Sequence, residues 1–302
     1  MTFERHLLAA FQAVADHGTV GRAARALNGS QPTISRHIRS LEEQLGEPLF
    51  DRDSKGMHLT LAGAELLPRV RLLLYEMAAA QDMIDAHRGL RRGAIRIGGV
   101  AAIARSLFPD VLALINERAP DLRIELTVGS QDQVLVALAD REVDIIFAEE
   151  PPADIEVVRL GTSGFKDRCV TFCAPSNPLV GKGTTPLVTD VLNARWAMPR
   201  SDATPRRQFE ALVRSLGFEP PKSSLQTDSV ETVVEVVARS NIIAWLPEPL
   251  LTHALARGEI MIVPVPALEL HRSFSMYRRA RGSIPASAQI FIDAVSAVQK
   301  RN

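Results

Sequence analysis

Residues 19–45 of the chain read TVGRAARALNGSQPTISRHIRSLEEQL, and this stretch predicts two short helices joined by a tight turn. Thr19 is placed to cap the first helix, and Asn28-Gly29 is a turn signal between the two. In the second helix, apolar residues recur at three- and four-residue spacing: Ile34, Ile38, Leu41 and Leu45. One face of this helix is therefore expected to be buried and the opposite face exposed.

The second helix carries polar side chains on its outward face. Ser30 or Gln31 is placed to cap it, and Pro32 stands where the first turn tolerates a missing N–H. The other outward residues suit base edges and phosphate groups: Thr33, Ser35, Arg36 and Arg39. In helix-turn-helix proteins this end of the second helix enters the major groove, so the pattern predicts DNA as its partner.

The charge around this hairpin is one-sided. Residues 17–41 contain no Asp or Glu, whereas four arginines are present: Arg22, Arg25, Arg36 and Arg39. Such a pattern favours a polyanion as partner. On charge alone, a helix face that is merely solvated is the alternative, because surface charges usually contact only water.

Residues 50–60, FDRDSKGMHLT, predict two short strands joined by a turn that contains glycine. Arg52 and Lys55 lie near the tip, where they could reach phosphate or the minor groove. Hairpin and strands together predict a winged helix-turn-helix domain over residues 1–60. Its candidate DNA contacts are Thr19, Arg22, Ser30, Gln31, Pro32, Thr33, Ser35, Arg36, Arg39, Arg52 and Lys55.

The N-terminal pattern resembles the LysR-type transcriptional regulators. The residues that carry the resemblance, in order and at the family's spacing, are Phe11, Val14, Ala23-Ala24, Leu27, Ser30-Gln31-Pro32, Ser35, Ile38, Leu41-Glu42, Leu45-Gly46, Leu49-Phe50, Arg52, Leu59-Thr60 and Gly63. The resemblance implies an α/β protein with an N-terminal all-α winged helix-turn-helix and a two-lobed, periplasmic-binding-protein-like effector domain. The chain departs from the family at Asn28-Gly29 and at Thr19-Val20-Gly21, where Ser followed by an aromatic residue is common.

Residues 61–88 predict one long linker and dimerisation helix, capped by Thr60 and bent at Pro68. Apolar residues on it alternate four and three apart, as in a coiled-coil seam: Leu66, Val70, Leu73, Met77, Ala80 and Ile84. We expect this seam to pair with a second chain, the alternative being that it packs on its own DNA-binding domain. A hinge is predicted at residues 89–93.

Beyond the hinge, strands alternate with helices, which predicts parallel α/β sheets in an effector domain over residues 94–302. Two lobes are expected, with lobe I formed by residues 94–161 and 267–302 and lobe II by residues 162–266. One strand of lobe II is expected at residues 168–174. The return of the chain to lobe I near Pro266 is implied by the resemblance alone.

Ligands of such sheets lie beyond the carboxyl ends of the strands, where helix N-termini present free N–H groups. The predicted effector-binding residues are Gly99, Val100, Ala101, Ser130, Arg200, Ser201, Thr204, Asp228 and Ser229. Each of the four hydroxyl-bearing residues in this set, Ser130, Ser201, Thr204 and Ser229, could instead serve only as a helix cap. A nearby Arg200 or Arg168 favours a small carboxylate as ligand, whereas Glu149-Glu150 would favour a cation or hydroxyl groups.

Composition narrows the function further. The 35 Lys and Arg equal the 35 Asp and Glu, so DNA binding must come from a local patch. No apolar run approaches the roughly 18 residues of a membrane span, and no signal peptide is recognisable, so a cytoplasmic protein is expected. Cys169 and Cys173 would lie about 13 Å apart on one strand face, too far for a disulfide, and are expected in the core.

An enzyme is the competing class of protein for this sequence. The chain has no Gly-rich lysine loop for phosphate, no Gly-x-Ser-x-Gly elbow and no metal-binding His pair at helical spacing. We therefore expect no catalytic residue, no metal site and no cofactor.

The sequence as a whole predicts a LysR-type DNA-binding transcriptional regulator that responds to a small-molecule effector, favoured as a small organic acid. Expected partners are double-stranded promoter DNA, the effector and further copies in a homodimer or homotetramer, with RNA polymerase as an additional candidate. The alternative is a small-molecule-binding receptor or an enzyme with an accessory helix-turn-helix domain. Dimer or tetramer, and activation or repression, are left open at this point.

Overall fold

The structure is a computed structural model that describes residues 3–53, 56–87, 93–180, 185–201, 203–282, 284–285 and 287–300. The chain divides into two compact units. The first comprises residues 1–93 with the short segments 140–142 and 282–286, and the second comprises the rest.

The first unit contains the predicted helical hairpin and wing. Its elements are α1 (Arg5–His17), α2 (Val20–Ala26), α3 (Gln31–Leu45), β1 (Phe50–Asp53), β2 (Gly56–Leu59) and α4 (Leu61–His87). Phe11 of α1 is fully buried against Ile38 and Leu41 of α3, and its ring centroid lies 5.3 Å from that of Phe50. The apolar stripe of α3 therefore supplies the core, as its spacing predicts.

The turn between α2 and α3 is built by short-range hydrogen bonds. The Thr19 hydroxyl accepts a hydrogen bond from the backbone N–H of Arg22 at 3.3 Å, and the Ser30 hydroxyl accepts one from Thr33 at 3.3 Å. Ser30, and not Gln31, is thus the cap of α3. Asn28 takes a positive φ of 51°, a conformation that Asn tolerates better than most residues. The predicted caps and turn are confirmed.

The wing is fixed to the end of α1. Strands β1 and β2 pair antiparallel, from Phe50 opposite Leu59 to Asp53 opposite Gly56. The backbone N–H of Met57 donates to the carbonyl of Gly18 at 2.9 Å. Gly56 has a φ of +141°, and a Cβ there would lie 2.6 Å from the Gly18 oxygen, so this approach requires glycine. Lys55 lies outside the described residues.

The predicted seam of helix α4 has a buried first part and an exposed second part. Val70 is fully buried and, with Leu66, packs into the core of the helix-turn-helix domain. These two residues therefore pack against their own DNA-binding domain, which was the alternative to a partner chain. The later seam positions remain exposed: Leu73, Met77, Ala80 and Ile84. We call these four residues the exposed seam. Pro68 lies inside the helix. Residue 88, the predicted end of this helix, and residues 89–92 of the predicted hinge lie outside the described residues.

Close packing fixes the start of α4. Thr60 accepts a hydrogen bond from the Gly63 N–H at 3.1 Å, which confirms it as the cap, and donates to the Pro48 carbonyl at 2.8 Å. A Cβ on Gly63 would lie only 2.3 Å from the carbonyl oxygen of Leu49. Glycine is therefore required at position 63 by the backbone of the neighbouring segment.

Replacing Gly63 with Ala is expected to destabilise the DNA-binding domain. In an open helix this change would stabilise by up to about 1 kcal/mol, but overpacking against a carbonyl costs about 1–3 kcal/mol and should prevail. Thermal unfolding measures the difference. The matched control is Gly29→Ala, where the nearest atoms to a new Cβ are 4.0 Å away. A Gly63→Ala protein that melts with the parent would contradict this packing.

The second unit is a mixed sheet flanked by helices. Its strands are β3 (Gly93–Gly99), β4 (Leu122–Val128), β5 (Ile145–Ala148), β6 (Val157–Cys173), β7 (Arg195–Met198), β8 (Ser223–Gln226), β9 (Ile242–Pro247), β10 (Met261–Ile262) and β11 (Leu270–Arg279). Its helices are α5 (Ala101–Ser106), α6 (Phe108–Arg118), α7 (Gln131–Ala139), α8 (Val188–Leu192), α9 (Thr204–Ser215), α10 (Val230–Ala238), α11 (Thr252–Ala256) and α12 (Ser287–Gln299).

The strand order is β4-β3-β5-β11-β6-β9-β7-β8, and β10 pairs with β6. The pairs β3–β5, β7–β8 and β7–β9 are parallel, whereas β11 runs antiparallel to both β5 and β6. The α/β architecture is confirmed, and the sheet combines the expected parallel pairs with antiparallel ones. Two long antiparallel strands, β6 and β11, run through the centre of the sheet.

Strand β6 is longer than the sequence predicts. It spans 17 residues from Val157 to Cys173, whereas only residues 168–174 were expected as a strand. The earlier part, which includes Gly161 and Gly164, lacks the apolar alternation that marks strands. Pairing with β11 holds it extended, with Arg159 opposite Tyr277 and Phe165 opposite Phe274. The predicted lobe boundary at residues 161 and 162 falls inside this strand.

Within the described ranges, no helix combines the length and the apolar character that crossing a membrane would require.

Candidate DNA-binding surface and effector cavity

The predicted DNA-contacting residues lie opposite the buried stripe of the first unit. Gln31, Pro32, Arg36 and Arg39 are exposed on α3, while Thr33 and Ser35 are half-buried. Arg22 of α2 and Arg52 of β1 are exposed as well, and Thr19 is half-buried. Among the described residues, Arg22, Arg36 and Arg39 have no carboxylate partner within ion-pair distance, so their charges face outward.

Several hydroxyl groups among these predicted DNA contacts form hydrogen bonds within the domain. Thr19 and Ser30 cap α2 and α3, and the Ser30 hydroxyl also lies 2.8 Å from that of Thr33. Gln31 follows the cap with its side chain exposed, and its Nε2 would lie 3.2 Å from a Cβ on Gly21. The geometry leaves Gln31 and the arginines as the long side chains that can extend from this face.

The second unit contains a cavity of about 520 Å³ at the carboxyl ends of its strands. The segments that line it follow β3, β4, β5, β7 and β8, and the end of β9 and Arg272 of β11 complete the wall. This is the position where ligands of α/β sheets bind, and the volume is within the range of small-molecule sites.

Most of the predicted effector-binding residues line this cavity. They are Val100, Ala101, Ser130, Arg200, Thr204, Asp228 and Ser229. Gly99 and Ser201 do not line it. A Cβ on Gly99 would lie 2.9 Å from the ring of Phe108, so glycine at this position serves helix packing. The Gly99 carbonyl accepts a hydrogen bond from Gly129 at 3.2 Å, which joins the ends of β3 and β4.

Two of the predicted hydroxyls act as helix caps. The Ser130 hydroxyl accepts from the backbone N–H of Gln133 at 3.3 Å, while the Gln133 side chain accepts from the Ser130 N–H at 2.8 Å. This reciprocal pair is a capping box at the start of α7. The Ser229 hydroxyl accepts from Thr232 at 3.2 Å at the start of α10. The capping alternative therefore holds for both residues, and both still border the cavity.

Helix α9 bridges the two sides of the cavity. Thr204 donates to Asp132 at 3.2 Å, and Arg207 donates to the same carboxylate at 3.0 Å. Gln208 donates from Nε2 to Oε1 of Glu149 at 3.2 Å. These contacts join α9, which follows β7, to residues that follow β4 and β5. These hydrogen bonds connect the segments on the two sides of the cavity.

Arg272 is a cavity residue that the sequence analysis did not identify. Its side chain is 7% exposed, and its Nε and Nη2 donate to the two oxygens of Asp167 at 2.8 and 2.6 Å. Burial tends to lower the pKa of Arg272, but its hydrogen bonds to the Asp167 carboxylate and the neighbouring negative charges raise it above its ordinary value. Arg272 is therefore always cationic.

Arg168, in contrast, does not reach the cavity. Its guanidinium donates to Glu248 at 2.7 Å and to Glu269 at 3.0 Å, so its charge is already compensated. The candidate role of Arg168 near the ligand is therefore not supported, whereas Arg272 of the neighbouring strand, which is paired opposite Asp167, lines the cavity.

The two cysteines are buried and free. Burial raises the pKa of the Cys169 thiol to about 12 and that of Cys173 to about 11, so both remain protonated at neutral pH. A protonated, buried thiol is a poor nucleophile. The expectation that they are core residues is confirmed.

An exposed basic helix-turn-helix joined to an α/β unit with a cavity at its strand ends defines a class of protein, the DNA-binding regulators with a ligand-binding domain. The family description "Bacterial regulatory helix-turn-helix protein, lysR family" matches residues 6–64, and "LysR substrate binding domain" matches residues 88–300. The chain belongs to the LysR family of transcriptional regulators.

Relatives span nearly the whole chain. The uncharacterized HTH-type transcriptional regulator YdcI of Escherichia coli is 25% identical, over 96% of this chain and 94% of its own length. The regulator CbbR of Rhizobium meliloti is 28% identical, over 91% of this chain and 87% of its own. A full-length OxyR of Pseudomonas aeruginosa has the same fold, with a TM-score of 0.71 at 22% identity, over 98% of this chain and 95% of that one.

Proposed function

We propose that this regulator binds promoter DNA through α3 and the wing, and that a small organic acid in the cavity changes its DNA contacts. Two charged features together carry the proposal: exposed arginines of α2 and α3 that have no carboxylate partner among the described residues, and a buried, permanently cationic Arg272 on the cavity wall. The first suits phosphate, and the second suits a carboxylate.

The coupling between the two sites follows from the contacts of α9. An effector shifts the DNA-bound state only by as much as its affinity differs between two arrangements of the protein. Side chains of α9 donate hydrogen bonds to Asp132 and Glu149, so an effector that replaced these bonds would change how the two sides of the cavity are joined. Residues 94–302 would form the effector domain, with a boundary between its lobes near residues 161 and 266.

The active assembly is proposed as a homodimer or homotetramer in the cytoplasm, without catalytic activity, acting on promoters where RNA polymerase is the partner enzyme. The exposed seam of α4 supports assembly, because four apolar positions on one helix stripe are costly to leave in water. Two copies would present two recognition helices to a pseudo-palindromic site.

The experiment that tests the proposal starts from the full-length purified protein and fragments of genomic DNA. We expect it to retain a small set of promoter fragments, and footprinting should show protection of two half-sites separated by about one helical turn or a multiple of it. DNA affinity is then measured at fixed salt with and without candidate acids. Retention of random fragments only would contradict the regulator, and turnover of a bound compound would favour the enzyme alternative.

A further inference from the structure

Two opposite charges lie side by side on the cavity wall. Nη1 of Arg272 lies 3.9 Å from Oε1 of Glu149, a distance too long for a hydrogen bond. The other donors of this guanidinium, Nε and Nη2, are held by Asp167, and Nη1 makes no hydrogen bond with another described residue. The cavity wall therefore offers one unused cationic donor from a side chain that is more than nine-tenths buried.

Glu149 offers the complementary acceptor. Its backbone N–H donates to Gln131 at 2.9 Å, and its Oε1 accepts from Gln208, which fixes the position of the carboxylate. Its Oε2 takes part in no hydrogen bond with the part of the chain that the structure describes. The side chain is 27% exposed, so this oxygen is available to a ligand in the cavity.

The local charge balance is negative. Arg272 carries one positive charge, whereas Asp167, which is 1% exposed, and Glu149 carry one negative charge each. The other charged residues of the wall are paired: Arg200 with Asp228 at 3.7 Å, and Asp132 with Arg207 at 3.0 Å. A ligand that carried only a carboxylate would add a second uncompensated negative charge to a cavity from which it expels water.

We propose that the effector is a zwitterion, a small amino acid or a closely related amine-bearing acid. Its carboxylate binds Nη1 of Arg272 and its ammonium binds Glu149. Because the two protein groups are only 3.9 Å apart, an ammonium and a carboxylate on the same carbon atom of the ligand reach both. The ligand leaves the local charge unchanged and supplies both missing hydrogen-bond partners.

The rest of the cavity suits an amino-acid side chain. Val233, Leu246 and Leu250 line the wall and offer apolar surface to the part of the ligand beyond its charged groups. The inference rests on the proposed function, because it names the chemical class of the effector that the cavity takes.

The test is calorimetric titration of the full-length protein with the twenty standard L-amino acids. Each amino acid that binds is then compared with two analogues, its 2-hydroxy acid and the amine that lacks the carboxylate. We expect at least one amino acid to bind, and both analogues to bind on the order of a hundredfold more weakly, because a site built for a charged group rejects analogues without it. The variant Glu149→Gln keeps an acceptor for Gln208 but removes the charge.

Glu149→Gln should weaken binding of the amino acid by about the factor that separates the amino acid from its 2-hydroxy acid in the parent protein. The preference for a ligand with an ammonium group should therefore nearly disappear. The matched control is Glu150→Gln, which removes the neighbouring exposed charge outside the cavity wall and should leave the preference unchanged. Equal binding of amino acid and hydroxy acid, an unchanged preference in Glu149→Gln, or no binding of any amino acid would overturn the proposal.

DNA binding is measured on the same samples. Selective promoter binding without amino-acid selectivity would remove only the assignment of the effector class, whereas loss of promoter binding by the parent protein would remove the proposed function itself.

Discussion

A protein carrying Leu73→Asp is expected to be monomeric and to bind its promoter on the order of a hundredfold more weakly than the parent. Leu73 is 39% exposed on α4 and belongs to the exposed seam, together with Met77 and Ile84. A carboxylate at this position would be buried without a partner in any interface along this stripe. The loss of promoter affinity follows because two linked DNA-binding domains bind far more tightly than one.

Light scattering measures the mass, and thermal unfolding shows whether the monomer is still folded. The control is Leu61→Asp, since Leu61 is 79% exposed on the same helix but lies outside the seam. We expect this control to retain the parent's mass. If Leu73→Asp also keeps the parent's mass, the exposed seam is not the interface.

The second large effect concerns Gln31, the first residue of α3. Replacing Gln31 with Ala is expected to cost about 1–3 kcal/mol at the specific promoter site and little on unrelated DNA, because an amide that reads a base edge contributes only where that base is present. Arg52→Ala should instead weaken binding to both DNAs alike and lower the salt dependence by about one phosphate contact. Binding is measured on both DNAs over a range of salt concentrations.

Gln44→Ala provides the matched control, since Gln44 is exposed near the other end of the same helix. It should bind both DNAs like the parent. Should Gln31→Ala weaken specific and unspecific binding equally, Gln31 would contact the backbone of the DNA and the placement of α3 in the groove would be wrong.

The DNA-binding domain could be predicted in detail because its determinants are local. The caps at Thr19 and Ser30 act on N–H groups three residues away, and the positive φ of Asn28 follows from its own side chain. The stripe of α3 repeats every three or four residues, so the sequence shows which face is buried. The partner of the α4 seam was harder to predict, because periodicity does not show whether a buried stripe packs within its own chain or against a second one. Val70 packs within its own chain.

The cavity wall could be predicted only where it consists of helix starts. Ser130 and Ser229 are recognisable as caps, and the end of each preceding strand places them at the edge of the sheet. Arg272 has no such signal. Its position depends on pairing with Asp167, which is 105 residues away, whereas the candidate Arg168 is held by Glu248 and Glu269. Which arginine faces a ligand is decided by long-range pairing, and a single sequence does not contain this information.

The pairing of β6 with β11 has a consequence for how this protein can diversify. The ladder between these two strands ends at Cys169 and Leu270, which lie opposite each other, and residues 170–269 connect them. About a third of the chain is thus topologically an insertion between neighbouring points of one ladder. Such a segment can change its length and chemistry while the ladder that receives it is preserved. Ligand preference can therefore evolve in this segment while the surface that reads DNA stays under separate selection.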